Sequence, residues 1–317
     1  MKIFNPEVSV VLVTYNRINF LKKSLESILF QTYRNFELIL VNNGCTDGSY
    51  ELCNEYAKKD ERIKLINIQK NLGASRGRNK ALEACTGDYI SFIDDDDYCD
   101  NNMLEFLIGL TYSYDADISI CGSYSDFGDR LEPYFIFDEL LLLDKVKGLD
   151  ELLKREKYNV APPSKLFKRK LFDGISFPEG VLVDDIHVIY KVFASADKVV
   201  AKGEPLYYFR KHQSNMTNFI QSNKLTPKLL EEYLSMYRQR TIYLSNKVPD
   251  ITERAKYSEW SFMISMCDKI KKHNCTDCME IYCIMVNLLK QNYEEFINCK
   301  FITQKEIELL NEHLFSL

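Results

Sequence analysis

Short apolar runs alternate with segments of helical periodicity along residues 8–93, and this alternation limits the possible folds more than any other feature of the 317-residue chain. The runs consist largely of β-branched residues and Leu, as is typical of strands buried on both faces. They span residues 8–13, 36–41, 63–68 and 89–93. Strands separated by helices in this way predict an α/β fold with a mainly parallel sheet and crossover helices on both faces.

Polar residues follow three of the four predicted strands. In parallel α/β sheets, ligands bind outside the carboxyl ends of the strands, so these residues should lie along one ligand-binding edge. They are Thr14, Tyr15 and Asn16 after the first run, Asn42 and Asn43 after the second, and Asp94, Asp95, Asp96 and Asp97 after the fourth.

The four consecutive aspartates favour a metal site. Adjacent carboxylates repel one another, and a divalent cation removes that repulsion. Because side chains alternate along an extended segment, Asp94 and Asp96 point the same way and can share a hard cation that also binds diphosphate oxygens. Most short acidic runs are solvated turns. The apolar strand before this run directs the acids to the ligand edge instead.

The rest of the chain has two characters. The middle contains strand-like pieces and helices, whereas from residue 226 onward the pattern is helical, which predicts three or four helices. We therefore divide the chain into residues 1–220, an α/β domain, and residues 221–317, a helical region. The strand-like pieces of the middle are residues 117–121, 134–137, 199–201 and 206–209, and its helices are residues 149–155 and 185–194.

Composition narrows the functional classes. A formal charge of −5 gives no reason to expect nucleic acid as a partner. No signal peptide or membrane-spanning stretch is visible in the sequence, so we expect a cytoplasmic protein. The ten cysteines then predict reduced, buried thiols. His273, Cys275 and Cys278 lie close together but lack the second half of a zinc motif.

Four segments together carry a resemblance to a known family. They are SVVLVTYNR at 9–17, LILVNNGCTDGS at 38–49, NLGASRGRNKALEACTGDYISFIDDDD at 71–97 and VLVDDIHVIYKVF at 181–193. In their order and spacing, the chain resembles inverting glycosyltransferases of family 2, which have the Rossmann-like, A-type glycosyltransferase fold. Within that family it looks most like bacterial enzymes that build capsule, lipopolysaccharide or other surface glycans. The helical region resembles nothing that we can assign.

The resemblance implies a role for each matched position. Asp94 and Asp96 match a metal-binding Asp-x-Asp motif for Mn²⁺ or Mg²⁺, Asp97 beside them is a further candidate metal ligand, and Asp185 matches the catalytic base. Segment 207–217 resembles one that closes over the donor phosphates, so Arg210 and His212 would contact the diphosphate, and His212 is also a candidate metal ligand. The residues implied to bind the nucleotide are Thr14 and Tyr15 in the base pocket, Asn16, Asn42, Asn43, Asn71, Gly73, Arg78, Asp94 and Asp95.

The chain departs from the family at Asn42 and Asn43, where an Asp-Asp or Asp-Asn pair is common. An Asn carbonyl can still accept the ring N–H of uracil, while its NH₂ donates to a uracil carbonyl. Guanine presents two donors and would prefer a carboxylate. The substitution is therefore compatible with uracil or thymine and disfavours guanine.

Two other positions have a structural alternative. Asp184 and Asp185 precede an apolar helical run, and acids there often cap a helix. Capping by Asp184 is compatible with catalysis by Asp185. Lys165 and Lys168 could touch acceptor or phosphate, but a solvated basic face is the simpler interpretation.

The sequence thus predicts an inverting glycosyltransferase that moves a sugar from a nucleotide diphosphate, with a UDP-hexose or UDP-N-acetylhexosamine favoured, to a glycan or lipid-linked glycan. One alternative is a nucleotidyltransferase, but such enzymes usually carry a Gly-rich basic loop after the first strand, and this chain has none there. The other is a non-catalytic sugar-nucleotide or glycan-binding module of the same fold. The apolar faces of the C-terminal helices are compatible with a homodimer or with peripheral contact at the inner face of the membrane.

Overall fold

The computed structural model describes residues 5–215 and 225–315, and these form two compact units. The first unit ends at His212 and the second begins at Gln213. The first is a mixed α/β layer structure, and the second is helical within its described residues. The fold class predicted from the sequence, a mainly parallel Rossmann-like sheet with an α-helical C-terminal region, is confirmed.

One sheet runs through the first unit, with spatial order β3-β2-β1-β4-β9-β6-β10-β5, while β7 pairs with β6 and β8 with β10. Strands β1 to β4 are parallel to one another, and β9 runs antiparallel between β4 and β6. The strands in chain order are β1 Val8–Thr14, β2 Phe36–Asn43, β3 Ile63–Ile68, β4 Tyr89–Phe92, β5 Tyr98–Cys99, β6 Ile118–Asp126, β7 Leu131–Pro133, β8 Leu140–Asp144, β9 Lys165–Lys168 and β10 Lys198–Arg210.

Strand register brings the predicted polar clusters to one edge. Thr14, at the end of β1, lies opposite Asn42 near the end of β2. Val11 of β1 lies opposite Phe92, the last residue of β4, so the aspartate run begins just beyond. The prediction that these polar clusters share one edge of the sheet is therefore confirmed. Asn42 and Asn43 are the last residues of β2 itself and do not lie in the loop after it.

Six α-helices cover the sheet within residues 5–212 of the first unit. They bury their apolar faces against the strands, and the core combines β-branched strand residues with helical leucines such as Leu21 and Leu25. The helices are α1 Ile18–Leu29, α2 Ser49–Lys59, α3 Ala74–Ala84, α4 Met103–Tyr114, α5 Lys145–Lys154 and α6 Ile189–Ser195.

The turn after β2 requires glycine. Gly44 has φ +78°, and a Cβ on it would lie 2.4 Å from the backbone nitrogen of Asn71. Only glycine adopts this conformation readily and permits such close approach. The turn after β2 and the loop before α3 therefore touch through their backbones.

The sequence prediction was wrong for residues 134–137, which form no strand. A Cβ on Gly122 would lie 2.5 Å from the carbonyl oxygen of Phe135, and one on Gly203 would lie 2.1 Å from the nitrogen of Phe137. The segment thus crosses over two strand glycines at a register shift between β6 and β10. The pieces 199–201 and 206–209 belong to one irregular strand, β10, because the chain stays paired across this shift.

The predicted helix over 185–194 is divided. A 3-10 turn spans Asp185–His187, and α6 begins only at Ile189. Asp184 makes no capping hydrogen bond with its side chain, because its carboxylate binds Arg78 instead. This break separates the acids from the regular helix.

The described part of the second unit contains five helices, more than the three or four predicted. Two helices of 21 residues each are followed by shorter ones around a core that includes Trp260, Met285 and Phe296. They are α7 Pro227–Lys247, α8 Thr252–Lys272, α9 Met279–Gln291, α10 Tyr293–Ile297 and α11 Gln304–Phe315. Within the described ranges, none of the helices combines the length and apolarity that crossing a bilayer requires.

Candidate functional site

Asp97 is the buried anchor of the aspartate run. Its Oδ2 accepts a hydrogen bond from the hydroxyl of Tyr207 at 2.9 Å, and its Oδ1 accepts one from the backbone N–H of Arg210 at 2.8 Å. The Tyr207 hydroxyl also accepts the backbone N–H of Asp94 at 3.2 Å. Desolvation and the charges of neighbouring acids raise the pKa of Asp97 well above its usual range. Because both its oxygens are engaged, Asp97 shapes the loop that carries Asp94 and Asp96.

Arg210, predicted to contact phosphate, binds the aspartate loop. Its Nε donates to the carbonyl oxygen of Asp96, and one terminal nitrogen donates to the carbonyl of Asp97 at 3.1 Å. The same nitrogen reaches α1 through the carbonyl of Phe20 at 3.1 Å and Oγ of Ser24 at 2.9 Å. Burial lowers the pKa of Arg210 against the opposing charges of Asp97 and Asp96. Arg210 therefore links the end of β10, the aspartate loop and α1.

Asp96 faces two nitrogen-bearing side chains. Its Oδ2 lies 3.1 Å from Nε2 of His212 and 3.6 Å from Nε of Arg17. The ring of His212 stacks on Phe20 with centroids 4.3 Å apart. Burial lowers the pKa of His212 although the charge of Asp96 opposes it, so the imidazole favours its neutral, ligand-competent form. The structure thus brings together the predicted residues Asp96 and His212, while Met216 and Thr217 of the same predicted segment lie outside the described residues.

Arg78 joins the aspartate run to the acids that begin the 3-10 turn. One of its terminal nitrogens donates to Oδ1 of Asp184, and the other lies 3.3 Å from Oδ1 of Asp94. Burial lowers the pKa of Arg78, but the negative charges of Asp184 and Asp94 outweigh burial and the pKa rises. Desolvation and repulsion from Asp96 and Asp184 raise the pKa of Asp94 although Arg78 opposes them. The arginine therefore offsets part of the repulsion among these carboxylates.

Asp185, the predicted base, has an environment suited to proton transfer. Desolvation and the charge of Asp184 raise its pKa to about 6, against the opposing effect of Arg78. Its Oδ1 accepts the backbone N–H of Ile186 at 2.7 Å. A carboxylate with a pKa near neutrality is a more effective base than an ordinary one.

Asp95 turns toward the end of β1. Its Oδ2 accepts the backbone N–H of Tyr15 at 3.0 Å, and its Oδ1 lies 4.0 Å from Nε of Arg17. Desolvation and the charge of Asp96 raise the pKa of Asp95 to about 7, while hydrogen bonds from Thr14 and Tyr15 oppose the rise. Tyr15 itself stays 42% exposed, so its ring is available to a ligand at this edge.

The two asparagines at the end of β2 are buried and engaged by neighbouring loops. Asn42 donates to Oδ1 of Asn67 at 2.7 Å and accepts the N–H of Cys45 at 3.3 Å. Asn43 donates to Oδ1 of Asn71 at 3.2 Å and to the carbonyl of Gly73 at 3.1 Å. These bonds bring the predicted residues Asn71 and Gly73 to the asparagine pair. Each amide oxygen retains a second lone pair beyond the hydrogen bond described.

Asn16 links the loop after β1 to the turn after β2 through hydrogen bonds. It has φ +52°, a left-handed conformation that Asn tolerates, and its Oδ1 accepts the N–H of Thr46 at 2.8 Å. Its own N–H donates to the sulfur of Cys45 at 3.3 Å. These contacts place Asn16 at the predicted nucleotide side of the edge.

Sequence reasoning missed the contribution of Tyr207 and misjudged Lys165. Tyr207 lies in an apolar strand pattern, where a tyrosine signals only core packing, although the hydroxyl of a buried tyrosine usually finds a partner. The solvated basic face, the simpler of the two interpretations of Lys165, is wrong, because Lys165 is 1% exposed on a strand in the middle of the sheet. Lys168 pairs with Asp117 at 2.9 Å.

The donor set fits a hard divalent cation held by few protein ligands. No group of three or more His, Cys, Asp and Glu side chains suited to a metal occurs within residues 5–215 and 225–315. Asp94 and Asp96 interact repulsively, and Oδ2 of Asp184 is buried without a hydrogen-bond partner in the described part of the chain. Cations such as Mg²⁺ are commonly held by one or two carboxylates and by substrate phosphates. These carboxylates can therefore accept such an ion together with a diphosphate.

Sequence comparison identifies relatives in several bacteria. The chain is 29% identical over 294 residues to glycosyltransferase GlyA of Streptococcus pneumoniae, covering 84% of this chain but only 42% of GlyA. It is 30% identical over 265 residues to the putative glycosyltransferase EpsH of Bacillus subtilis, covering 77% and 72% of the two chains. Over 102 residues it is 37% identical to the putative teichuronic acid biosynthesis glycosyltransferase TuaG of B. subtilis, covering 32% and 40%. The chain thus spans less than half of GlyA.

Solved structures share the fold. TarS residues 1–349 of S. aureus, in complex with UDP-GlcNAc, superpose with a TM-score of 0.67 at 18% identity, covering 97% of this chain and 82% of TarS 1–349. The mannosyltransferase PcManGT of Pyrobaculum calidifontis, in complex with GDP-Man and Mn²⁺, gives 0.59 at 14% identity, covering 98% and 84%. Residues 9–175, more than half of the chain, match the family described as Glycosyl transferase family 2. The chain therefore belongs to glycosyltransferase family 2.

Proposed function

We propose that the chain transfers a hexose or N-acetylhexosamine from a UDP-sugar to a glycan or lipid-linked glycan, with inversion at the anomeric carbon. The observation that carries this proposal is the meeting of Asp94, Arg78 and the Asp184–Asp185 pair at one sheet edge. At this edge, acids suited to a metal–diphosphate group lie beside Asp185, a base of raised pKa. Inverting transfer needs a stabilised leaving group, a deprotonated acceptor and their alignment, and needs no covalent nucleophile.

Asp94 and Asp96 would hold Mn²⁺ or Mg²⁺, with His212 as a further candidate ligand. When bound, such an ion supplies Lewis-acid stabilisation of the departing diphosphate. Tyr207, Arg210 and Asp97 keep the loop of these acids in place. The structure of PcManGT with Mn²⁺ supports the choice of cation, as a property of a protein of the same fold.

Asp185 would accept the proton of the acceptor hydroxyl as that oxygen attacks the anomeric carbon. Asp184 and Arg78 position the turn that carries it, since their ion pair ties the turn to α3. The charge of Asp184 also raises the pKa of Asp185 toward neutrality. The proton is thus taken in the same step in which the bond to the diphosphate oxygen breaks.

The nucleotide would bind on the β1–β2 side of the edge. Tyr15 offers an exposed ring, and Oδ1 of Asn42 has a second lone pair for the ring N–H of uracil. Asn43, Asn71 and Gly73 build the adjoining loop through their mutual hydrogen bonds. The TarS complex with UDP-GlcNAc supports a uridine donor on this fold.

The acceptor class that we propose is based on the names of the relatives. The name of TuaG refers to teichuronic acid biosynthesis, and this supports a surface polysaccharide as the product. We place the reaction at the cytoplasmic side of the membrane, where nucleotide sugars are made. A homodimer through the helices of the second unit stays a prediction, which light scattering after size exclusion would test.

The test is nucleotide release from a panel of UDP-, dTDP-, GDP- and CDP-sugars, with and without Mn²⁺. We expect Mn²⁺-dependent release from a UDP-sugar, and its loss in Asp185→Asn with donor binding retained in calorimetry. Asp173→Asn is the matched control, because Asp173 is exposed and lies outside this cluster. Donor binding without release by the wild-type protein, with any acceptor supplied, would favour the non-catalytic binding module. An absence of both would overturn the proposal.

A further inference from the structure

Asn79 of α3 makes a reciprocal pair of hydrogen bonds that the proposed mechanism does not use. Its Nδ2 donates to the carbonyl oxygen of Phe177 at 2.9 Å, and its Oδ1 accepts the backbone N–H of the same residue at 2.8 Å. The amide thus binds both backbone groups of Phe177, as a hydrogen-bonded residue of an antiparallel strand would. The two residues lie 98 positions apart, so no local pattern in the sequence signals this contact.

These bonds matter because the segment that starts at Phe177 has no regular structure of its own. Residues 173–184 all lie in the described part of the chain, and they contain neither helix nor strand. Gly180 turns the chain with φ +79°, in the left-handed region. A segment of this kind takes its position from contacts with its neighbours, because it has no ladder of backbone hydrogen bonds. The contacts at its two ends therefore decide where residue 185 is placed.

Helix α3 holds both ends of this segment. Asn79 binds its beginning at Phe177, and the adjacent residue of the helix, Arg78, donates to Oδ1 of Asp184 at its end. The guanidinium carbon of Arg78 also lies 5.5 Å from the ring centroid of Phe177. Two neighbouring residues of one helix thus fix the segment immediately before Asp185.

Phe177 lies beside the strand that leads to the aspartate run. It is 1% exposed, and its ring meets that of Phe92 edge-on, with centroids 6.1 Å apart. Phe92 is the last residue of β4, and Asp94 follows two positions later. Beyond the other end of the segment, Asp185 begins the 3-10 turn. One short segment therefore connects the end of β4 with the proposed base.

The position of α3 is itself fixed from the nucleotide side. Nδ2 of Asn43 donates to the carbonyl oxygen of Gly73, the residue before the helix, at 3.1 Å. A Cβ on Gly77 would lie 2.5 Å from Cγ1 of Val13, so the helix packs directly on β1. The helix therefore has a defined position against β1 and β2, and Asn79 fixes the segment before the base relative to these strands.

We infer that Asn79 is a positioning residue for the proposed base. By holding Phe177 on α3, it keeps Asp185 aligned with the aspartate run. The inference rests on the proposed function, because it takes Asp185 as the base. Its signature is a loss of turnover without a loss of nucleotide binding, since a displacement of about 1 Å at a reacting group can cost about a hundredfold in rate.

The first experiment measures Asn79→Ala in Mn²⁺-dependent UDP release from UDP-GlcNAc and in calorimetry with UDP and Mn²⁺. We expect kcat to fall by about tenfold or more, while the Kd of UDP stays within about twofold of the wild-type value. Ser9→Ala is the matched control, because Ser9 also makes buried hydrogen bonds, to Oε1 of Glu37 at 2.6 Å and from the N–H of Gly87 at 2.9 Å. These bonds lie near the start of β1, at the opposite edge of the sheet, so this variant should keep the wild-type kcat.

Asn79→Gln separates the position of the segment from the presence of the bonds. It keeps a donor and an acceptor on a side chain one methylene longer, so the bonds to Phe177 can form only if the segment moves. Its kcat should stay low, although its stability to chemical denaturation should exceed that of Asn79→Ala. A wild-type kcat in both variants, an equal fall in Ser9→Ala, or an equal weakening of UDP binding would overturn the inference.

A second measurement needs no turnover, and Asn79→Gln alone is sufficient for it if Asn79→Ala does not fold. Backbone hydrogen exchange, followed by mass spectrometry, should be faster for residues 177–186 in the variant than in the wild-type protein, and unchanged for β1 and β2. Equal exchange of residues 177–186 in the two proteins would overturn the inference. Absence of UDP release from the wild-type protein, together with this faster exchange, would count against the proposed function alone.

Discussion

The asparagine pair at the end of β2 and the aspartate run after β4 lie at the same edge of one sheet, but their polar atoms are used differently. Asn42 and Asn43 are 3% and 2% exposed, and they bind neighbouring loops through their amides. Asp94 is 37% exposed as a side chain, and the pKa values of Asp94 and Asp95 are raised by desolvation and by the charge of Asp96. One cluster completes the fold, whereas the other holds charge that a ligand can neutralise.

The difference follows from chemistry. A neutral amide both donates and accepts hydrogen bonds, so the two asparagines can bind the polar groups of neighbouring loops without any ion. Ionised carboxylates only accept, so a run of them needs cations from elsewhere, and here Arg78, Arg17 and the backbone N–H groups supply part of that need. The remaining repulsion suits the aspartate side to the metal and diphosphate that we propose to bind there.

The largest expected effect is that of Asp96→Asn, which keeps the shape of the side chain but removes its charge. We expect transfer to fall by at least about a hundredfold, because stabilisation of developing charge by a metal or donor is worth several kcal/mol. Calorimetry with Mn²⁺ and UDP should show weaker, less metal-dependent binding. The control is Asp115→Asn, an exposed acid at the end of α4. Unchanged metal-dependent binding would remove Asp96 from the metal site.

The next effect is the pH dependence of transfer. Desolvation and the charge of Asp184 raise the pKa of Asp185 to about 6. A base must be ionised to accept a proton, so the rate should be full well above pH 6 and should fall as pH drops through that value, by about tenfold per unit. The measurement is kcat from pH 5 to pH 8 at saturating donor. A profile that stays flat down to pH 5 would exclude Asp185 as the titrating base.

Tyr207→Phe tests whether the hydroxyl of Tyr207 keeps the aspartate run in place. The hydroxyl is shared between Oδ2 of Asp97 and the N–H of Asp94, so its removal should lower the free energy of unfolding by about 1–3 kcal/mol. A modest fall in kcat should accompany it. Tyr208→Phe is the matched control, as the neighbouring ring stacks on Tyr98 with centroids 4.6 Å apart. Equal free energies of unfolding for the two variants, measured by chemical denaturation, would contradict the role given to Tyr207.

Asn43→Ala tests the structural side of the comparison. It removes hydrogen bonds to Asn71, Gly73 and the N–H of Leu72, which lies 3.2 Å from its Oδ1. We expect a loss of about 1–3 kcal/mol in the free energy of unfolding, since buried groups lose their partners. The metal dependence of activity should not change. A changed Mn²⁺ requirement would show that the two clusters are not separate in function.

How much the sequence predicted depends on the range of the contacts. The parallel strands and the shared edge follow from local periodicity. The extended segment expected for the aspartate run does not form, because a turn closes there, with the N–H of Asp97 donating to the carbonyl of Asp94 at 3.2 Å. The ion pair between Arg78 and Asp184 joins residues 106 positions apart, and the bond from Tyr207 to Asp97 spans 110. No local pattern signals such contacts. Similarly, the crossing of segment 134–137 over Gly122 and Gly203 depends on a register shift that only the assembled sheet defines.

The smallest expected effect is on nucleotide affinity in Asn42→Asp, which makes the β2 side resemble the β4 side. A carboxylate would accept the N–H of Cys45 as the amide oxygen does, and Asn67 can turn its own NH₂ toward it. A charged acceptor binds the uracil N–H more strongly, so the Kd of UDP should fall by about fivefold. GDP should gain as well, since guanine presents two donors.

Asn101→Asp provides the matched control for this change. Asn101 is exposed in the turn after β5, so the substitution adds the same charge away from the pocket. Calorimetric Kd values for UDP and GDP at one ionic strength separate a local hydrogen bond from the general effect of an added negative charge. Equal Kd values in wild type and Asn42→Asp would mean that the base is read elsewhere. The asparagine pair would then serve the fold alone, and the contrast with the aspartate run would be complete.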